Sequence, residues 1–376
     1  MFENLSLLAL QQYWWVIVSL LGALLVFLMF VQGGQTLIFT LGKTELEKKM
    51  LINSMGRKWE FTFTTLVTFG GAFFASFPLF YATSFGGAYW VWMAILFAFV
   101  IQAVSYEFRS KPNNFLGQKT FEVFLFINGL LGTILIGTAV STFFTGSQFF
   151  VTEFNFMEWK GAARGLEAVL NPHNVVLGLA VFFLARSLGL LYFINDIDNE
   201  SIIPRAHKQL WFNALPFLFF FLLWLIWLLF LNGYAYDPIT KVVYIEAYKY
   251  LNNIFQMPVN TIIMLLGIIL VLYGLFIALF KQGTKGIWFT GLGTVLTVFA
   301  LFILAGFNHT AFYPSNYDLQ SSLSIENASS SHYTLTAMSY VSLMIPFVVA
   351  YIWYAWKAIN IKKINAEEME GEGHAY

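Results

Sequence analysis

Long apolar runs, separated by short clusters of charge, set the pattern of this chain. A helix needs ~20 apolar residues to cross a bilayer. Nine segments qualify: 13–41, 61–84, 87–107, 120–145, 173–194, 210–232, 259–280, 286–307 and 334–356. They are apolar on every face, whereas the strands of a membrane barrel would alternate polar and apolar positions over ~10 residues. The pattern predicts an all-α polytopic membrane protein with nine transmembrane helices. It forms one integral membrane domain over 1–376, with a charged cytoplasmic tail at 358–376. Two four-helix bundles plus one peripheral helix are the expected arrangement, without a sequence repeat to mark the bundles. The first segment's 29 residues would reach about 43 Å as a straight helix, so it must tilt or bend. Gly33-Gly34 is the expected bend.

The charges between the runs predict orientation. Of the 20 Lys and Arg residues, 15 fall in the tail or in the loops after segments one, three, five and seven. Four lie on the opposite side (Lys160, Arg164, Lys241 and Lys249), and Arg186 lies within a span. Basic loops stay in the cytoplasm, so the N-terminus is expected outside and the tail inside. The longest connections, 146–172, 233–258 and 308–333, then lie outside. They have room for a short amphipathic element such as Trp159–Leu170, but not for a core. The first apolar stretch lacks a basic n-region and a small-residue cleavage site, and so reads as a retained helix.

Composition narrows the chemistry. The chain is 59% hydrophobic and 11% charged, against ~45–50% and ~25% in soluble domains, so the surplus apolar surface must face lipid. Net charge is zero, which gives no footprint for nucleic acid. Cysteine is absent, which removes disulfides, iron–sulfur clusters and thiolate chemistry. His173, His207, His309, His332 and His374 all lie at span ends, in loops or in the tail. Haem at membrane depth usually takes a histidine, so no haem or metal ligated by this chain is expected. Walker, dinucleotide and nucleophile-elbow motifs are missing.

Ionisable residues in spans are costly and mark function. Glu60 opens segment two, Glu107 closes segment three and Glu122 lies one turn into segment four. With the expected orientation all three sit near the inner face. Short loops join these helices, so the carboxyls can share a patch able to pass protons. The plainer alternative is three solvated helix ends, with Glu60 at a positive dipole end. Arg186 lies roughly 12 Å deep and needs a partner. The candidates are one of the glutamates, Gln32 or Gln35, or a group on another subunit; a structural ion pair within the bundle is the simpler expectation.

Beyond these physical readings, Leu51-Ile-Asn-Ser-Met-Gly-Arg-Lys-Trp59-Glu60 followed by Gly70-Gly-Ala-Phe-Phe-Ala-Ser-Phe-Pro78 resembles subunit II of the cytochrome bd oxidases. Tyr106-Glu-Phe-Arg-Ser-Lys111, Asn171-Pro172, Tyr313-Pro-Ser315, Asn327-Ala-Ser-Ser330 and Thr334-Leu335 continue the likeness over nearly the whole chain. The resemblance implies the second subunit of a quinol:oxygen oxidoreductase of the bacterial cytoplasmic membrane. Haem b and haem d would be ligated by a larger subunit I, which oxidises quinol. This chain would pack against it as a haem-free, pseudo-twofold partner among membrane lipids and contribute to proton delivery. A small single-helix accessory subunit stays open. Carried over by position, Trp59 and Glu60 match the family's Trp–acid pair, and Glu107 and Glu122 match acidic residues of the family. On this reading Trp59 holds the Glu60 carboxyl in place. Gln32 and Gln35 stand where family members carry aspartates, and Gln102 where they carry an arginine, so roles of those groups do not transfer. Two other readings stay open: a proton-coupled transporter using Glu60, Glu107, Glu122 and Arg186, and a purely structural subunit.

Overall fold

A computed structural model describes residues 2–370. His374 and the rest of the tail from 371 onward lie outside the described residues. The first apolar run forms α1 (Leu7–Leu28) and α2 (Phe30–Gln35), offset at Met29, then a single turn, α3 (Ile38–Leu41). The offset thus falls four residues before the expected Gly33-Gly34. Those glycines serve close approach instead. A Cβ on Gly33 would lie 1.9 Å from the Ala185 carbonyl oxygen, and one on Gly189 would lie 2.6 Å from the Gly34 nitrogen.

The basic loop after this run folds into α4 (Glu45–Gly56), opened by a capping box in which Thr44 and Glu47 satisfy each other's backbone N–H groups. Segment two is shorter than expected. Helix α5 (Trp59–Ser76) stops before Pro78, which restarts the chain as α6 (Pro78–Tyr81) and a π-helical turn over Ala82–Gly87. Proline fits a first helical turn because its missing N–H is not needed there. The remaining helices are α7 (Tyr89–Phe108), α8 (Gln118–Thr145), α9 (Pro172–Asp196), α10 (Ile202–Phe230), α11 (Lys249–Gln256), α12 (Pro258–Phe280), α13 (Gly286–Gly306), α14 (His332–Ser342), α15 (Ile345–Ile359) and α16 (Ala366–Glu370).

Among the described residues, eight helical runs are long and apolar enough to cross a membrane. The run not among them is α5, whose 18 residues include Glu60, four threonines and two glycines. The loops expected outside are small and ordered. Strands β1 (Phe149–Val151) and β2 (Met157–Trp159) pair antiparallel, Phe149 opposite Trp159; β3 (Gly233–Tyr236) and β4 (Val243–Glu246) form a second hairpin. The amphipathic element expected at Trp159–Leu170 is only the end of β2 and a 3-10 turn over Leu166–Leu170. Gly165 at φ +99° breaks any longer helix between them.

Packing centres on the first run and α9. Helix α1 lies against α5 and α13, α2 against α8 and α9, and α9 also against α8 and α10, while α12 pairs with α13. The apolar core forms two clusters stacked along the helices. One, around Trp15, Phe73, Phe143 and Phe312, fills the end nearer the N-terminus; the other, around Phe30, Met55, Leu188 and Tyr192, fills the opposite end. Helix α15 stands apart from this scheme, with no buried residue.

Candidate functional site

Of the residues singled out by sequence, Glu122 lies where α4, the C-terminus of α7 and the N-terminus of α8 meet. It is 1% exposed. It accepts from the Arg109 guanidinium, at 2.6 Å from Nη2 and 3.2 Å from Nε, and lies 3.4 Å from Lys48 Nζ. Arg109 is 3% exposed, and Lys48 also pairs with Glu45 at 2.8 Å. The expected shared patch is therefore, at Glu122, an enclosed ion-pair network tying α4 and α7 to α8. Glu107 is exposed and paired one turn on with Lys111 at 3.1 Å. Glu60 is exposed at the head of α5.

Trp59 is half-buried beside the exposed Glu60. Successive helix positions point about 100° apart, and the Trp59 ring stacks on Tyr106, with centroids 5.9 Å apart and planes 15° apart. The Tyr106 hydroxyl accepts from Gln35 Nε2 at 2.9 Å. Behind it lie the buried amides of Gln32, Gln102 and Asn128, which find no hydrogen-bond partner among the described protein groups. Such groups in a native interior are usually met by water. Asn128 escaped the sequence reading because a lone amide in an apolar run gives no spacing signal.

Arg186 is half-buried and has no acidic partner among the described residues, contrary to the expected ion pair. Its Nε donates to Asn213 Oδ1 at 2.6 Å and its Nη1 to Thr36 Oγ1 at 2.8 Å, and the guanidinium lies over the Phe182 ring. Neutral acceptors on α10 and after α2 thus hold the cation. Gln32, Gln35 and the three glutamates are not its acceptors.

A second ionisable cluster was missed. Asp196, the last residue of α9, is 7% exposed and accepts from Ser54 Oγ at 2.5 Å and Asn360 Nδ2 at 3.3 Å. The chain beyond α15 folds back onto it, Ile364 N–H reaching the Asp196 carbonyl at 2.9 Å. Lys58 lies buried nearby, its ammonium 5.1 Å over the Trp356 ring, and burial pushes its pKa down to about 8. The fifth apolar run ends at 194, two residues short of Asp196, so hydropathy alone does not mark it.

Between α1, α8, α9, α10, α12 and α13 lies a cavity of about 80 Å³ lined by apolar side chains and the hydroxyl-bearing Thr294 and Thr297. None of its walls offers a histidine, cysteine or methionine to an iron atom, so this donor set does not fit haem. His173, buried beside Ser141 at 3.1 Å, sits between Trp224 and Trp227 and is not among the lining residues.

Comparison with known proteins agrees with this arrangement. The family model described as Cytochrome bd terminal oxidase subunit II matches residues 10–359. Cytochrome bd-I ubiquinol oxidase subunit 2 of Escherichia coli K12 is 27% identical over 380 residues, covering 96% of this chain and 97% of that protein. Cytochrome bd ubiquinol oxidase subunit 2 of Bacillus subtilis 168 is 27% identical over 360 residues, covering 92% and 94%. The solved bd oxidase of Geobacillus thermodenitrificans contains a chain of similar fold, with a TM-score of 0.58 at 11% identity, covering 93% of this chain and 97% of that one.

Proposed function

Since the chain belongs to the cytochrome bd terminal oxidase subunit II family, and is therefore one subunit of a quinol oxidase, we propose that it supports a haem-bearing subunit I and delivers cytoplasmic protons to it for oxygen reduction. The observation that carries this reading is the outer face of α5. Glu60, Thr64, Thr68 and Gly71 are exposed along it, at the four-residue and three-residue steps that align one helix face. The threonine hydroxyls bond back to carbonyls one turn earlier, Thr64 to Glu60 and Thr68 to Thr64, each at 2.7 Å. An exposed carboxyl with no cation beside it among the described residues heads this face, along which Val67 and Phe74 are also exposed; a carboxylate there is costly against lipid. Covered by subunit I, the face brings a titrating group to the subunit boundary. The nearby amides Gln35 and Gln102 can order water but accept no proton near neutral pH. Glu60 is thus the proton acceptor of this subunit, with Glu107 as its water-facing companion. Glu122, Trp59 and Arg186 fix the helices around it.

The same reading assigns all nine expected runs, α5 included, to spans; at 18 residues, α5 reaches about 27 Å, close to the hydrocarbon thickness. It keeps the N-terminus outside, the tail inside and the protein in the bacterial inner membrane. Haem b and haem d belong to subunit I, which also oxidises the quinol, and a small single-helix accessory subunit remains compatible. A proton-coupled transporter has no specific support here.

Two experiments address this. A reduced-minus-oxidised spectrum of the copurified complex should show haem b and d bands, while this chain purified folded and alone should show none; about one haem per isolated chain would refute the assignment. For the covered face, Gly71 is the probe, because a Cβ there meets nothing within 4 Å. Gly71→Leu should leave the isolated chain folded yet reduce copurification of subunit I about fivefold or more, since small residues allow close helix approach. Wild-type recovery of the complex would place α5 against lipid.

A further inference from the structure

Helix α15 leaves a cavity of about 480 Å³ between itself, α1, the end of α9 and the start of α13. Its walls change character along the membrane normal. Phe27, Trp288, Trp353 and Ile352 make one part apolar, while Lys357 and Lys363 stand at the end where α9 and α15 finish. Both lysines are exposed and neither has an acidic partner among the described residues. Lys357 instead lies 5.3 Å over the Trp353 ring, its stem along the apolar wall as a snorkelling lysine does.

One carboxylate, Asp196, also lines the space, but Ser54 and Asn360 already occupy its oxygens. Behind the Trp356 wall, the Lys58 ammonium is 1% exposed and meets no hydrogen-bond acceptor among the described residues. The mouth is therefore cationic, and tryptophans lie around it at the level where they favour headgroups.

We propose that this cavity is a binding site for one anionic phospholipid of the inner leaflet, its phosphate between Lys357 and Lys363 and an acyl chain against Phe27, Trp288 and Trp353. The charge of the mouth selects an anionic lipid over a zwitterionic one, because each lysine near an anionic headgroup adds attraction that a neutral lipid does not return. An occupied site would fasten α15, which has no buried residue of its own, to the rest of the bundle. The proposal rests on the orientation given above only for the choice of leaflet. Lipid retention is measured on purified complex, so an inverted orientation and a missing site give different results.

The test uses the whole complex reconstituted in vesicles of phosphatidylcholine with phosphatidylglycerol, re-extracted in detergent and analysed for retained lipid by native mass spectrometry. Wild type should retain a phosphatidylglycerol that Lys357→Gln/Lys363→Gln binds about tenfold more weakly. Ile352→Trp, which narrows the cavity at its apolar wall, should weaken lipid retention while haem and subunit I stay at wild-type levels. Equal retention by wild type and the double lysine variant would overturn the site. So would retention of phosphatidylcholine alone. A photoreactive group at position 353 should capture lipid; capture of subunit I in its place would show that the cavity is filled by protein.

Discussion

Glu122→Gln should remove most of the assembled oxidase from the membrane. Its carboxylate is the close partner of Arg109, a guanidinium only 3% exposed; the next acidic oxygen, on Glu45, is 3.8 Å away and belongs to a largely solvated side chain. Deleting one member of a buried pair strands the other charge, at a cost of about 3–5 kcal/mol. A loss of that size is a large fraction of the stability of an ordinary domain, so haem absorbance and copurified subunit I should fall about fivefold or more. The Arg109→Gln/Glu122→Gln double variant should recover part of that loss, because two neutral amides no longer strand a charge. Glu107→Gln is the control: its exposed pair with Lys111 is worth under about 1 kcal/mol, and assembly should not change. Normal assembly in Glu122→Gln would mean that the enclosed network at the start of α8 does not hold the bundle together.

Glu60→Gln should act in the opposite way, sparing assembly and slowing turnover. The side chain is exposed at the head of α5, and the substitution keeps its shape while removing its titrating proton. Loss of a positioned proton carrier costs ~10²–10⁴-fold in favourable cases. Because water can partly substitute at an exposed position, quinol oxidase turnover is expected to fall about tenfold or more, with haem content near wild type. Glu60→Asp should keep much of the activity. Turnover equal to wild type in Glu60→Gln would leave this chain a supporting subunit only. Loss of haem together with activity would instead assign Glu60 to assembly.

The apolar runs were legible because a bilayer demands continuous hydrophobic length, which a one-dimensional sequence displays directly. Their interruptions were harder. Gly33-Gly34 could mean a bend or close contact, and only the position of Ala185 and Gly189 on a distant helix decides for contact. Pro78 was visible inside the second run, but the apolar residues on both sides concealed a helix end. At the candidate site, the residue types and their end of the bundle could be read, and their partners could not. Arg186 finds Asn213 and Thr36, the latter 150 positions away, and Asp196 finds Ser54 at a separation of 142. Such pairings depend on how helices pack, and no local periodicity carries them. The order of Glu122, Arg109 and Lys48 contains all three charges without showing that they would neutralise one another.

Proton delivery by this subunit is tested most directly by mixing the fully reduced complex with oxygen in the presence of a pH indicator. Wild type should take up protons in step with oxygen reduction. In Glu60→Gln at normal haem content, uptake should lag by about tenfold or more, with the haem-centred steps that need no proton unchanged. Proton uptake at the wild-type rate in Glu60→Gln would contradict a proton route through this chain.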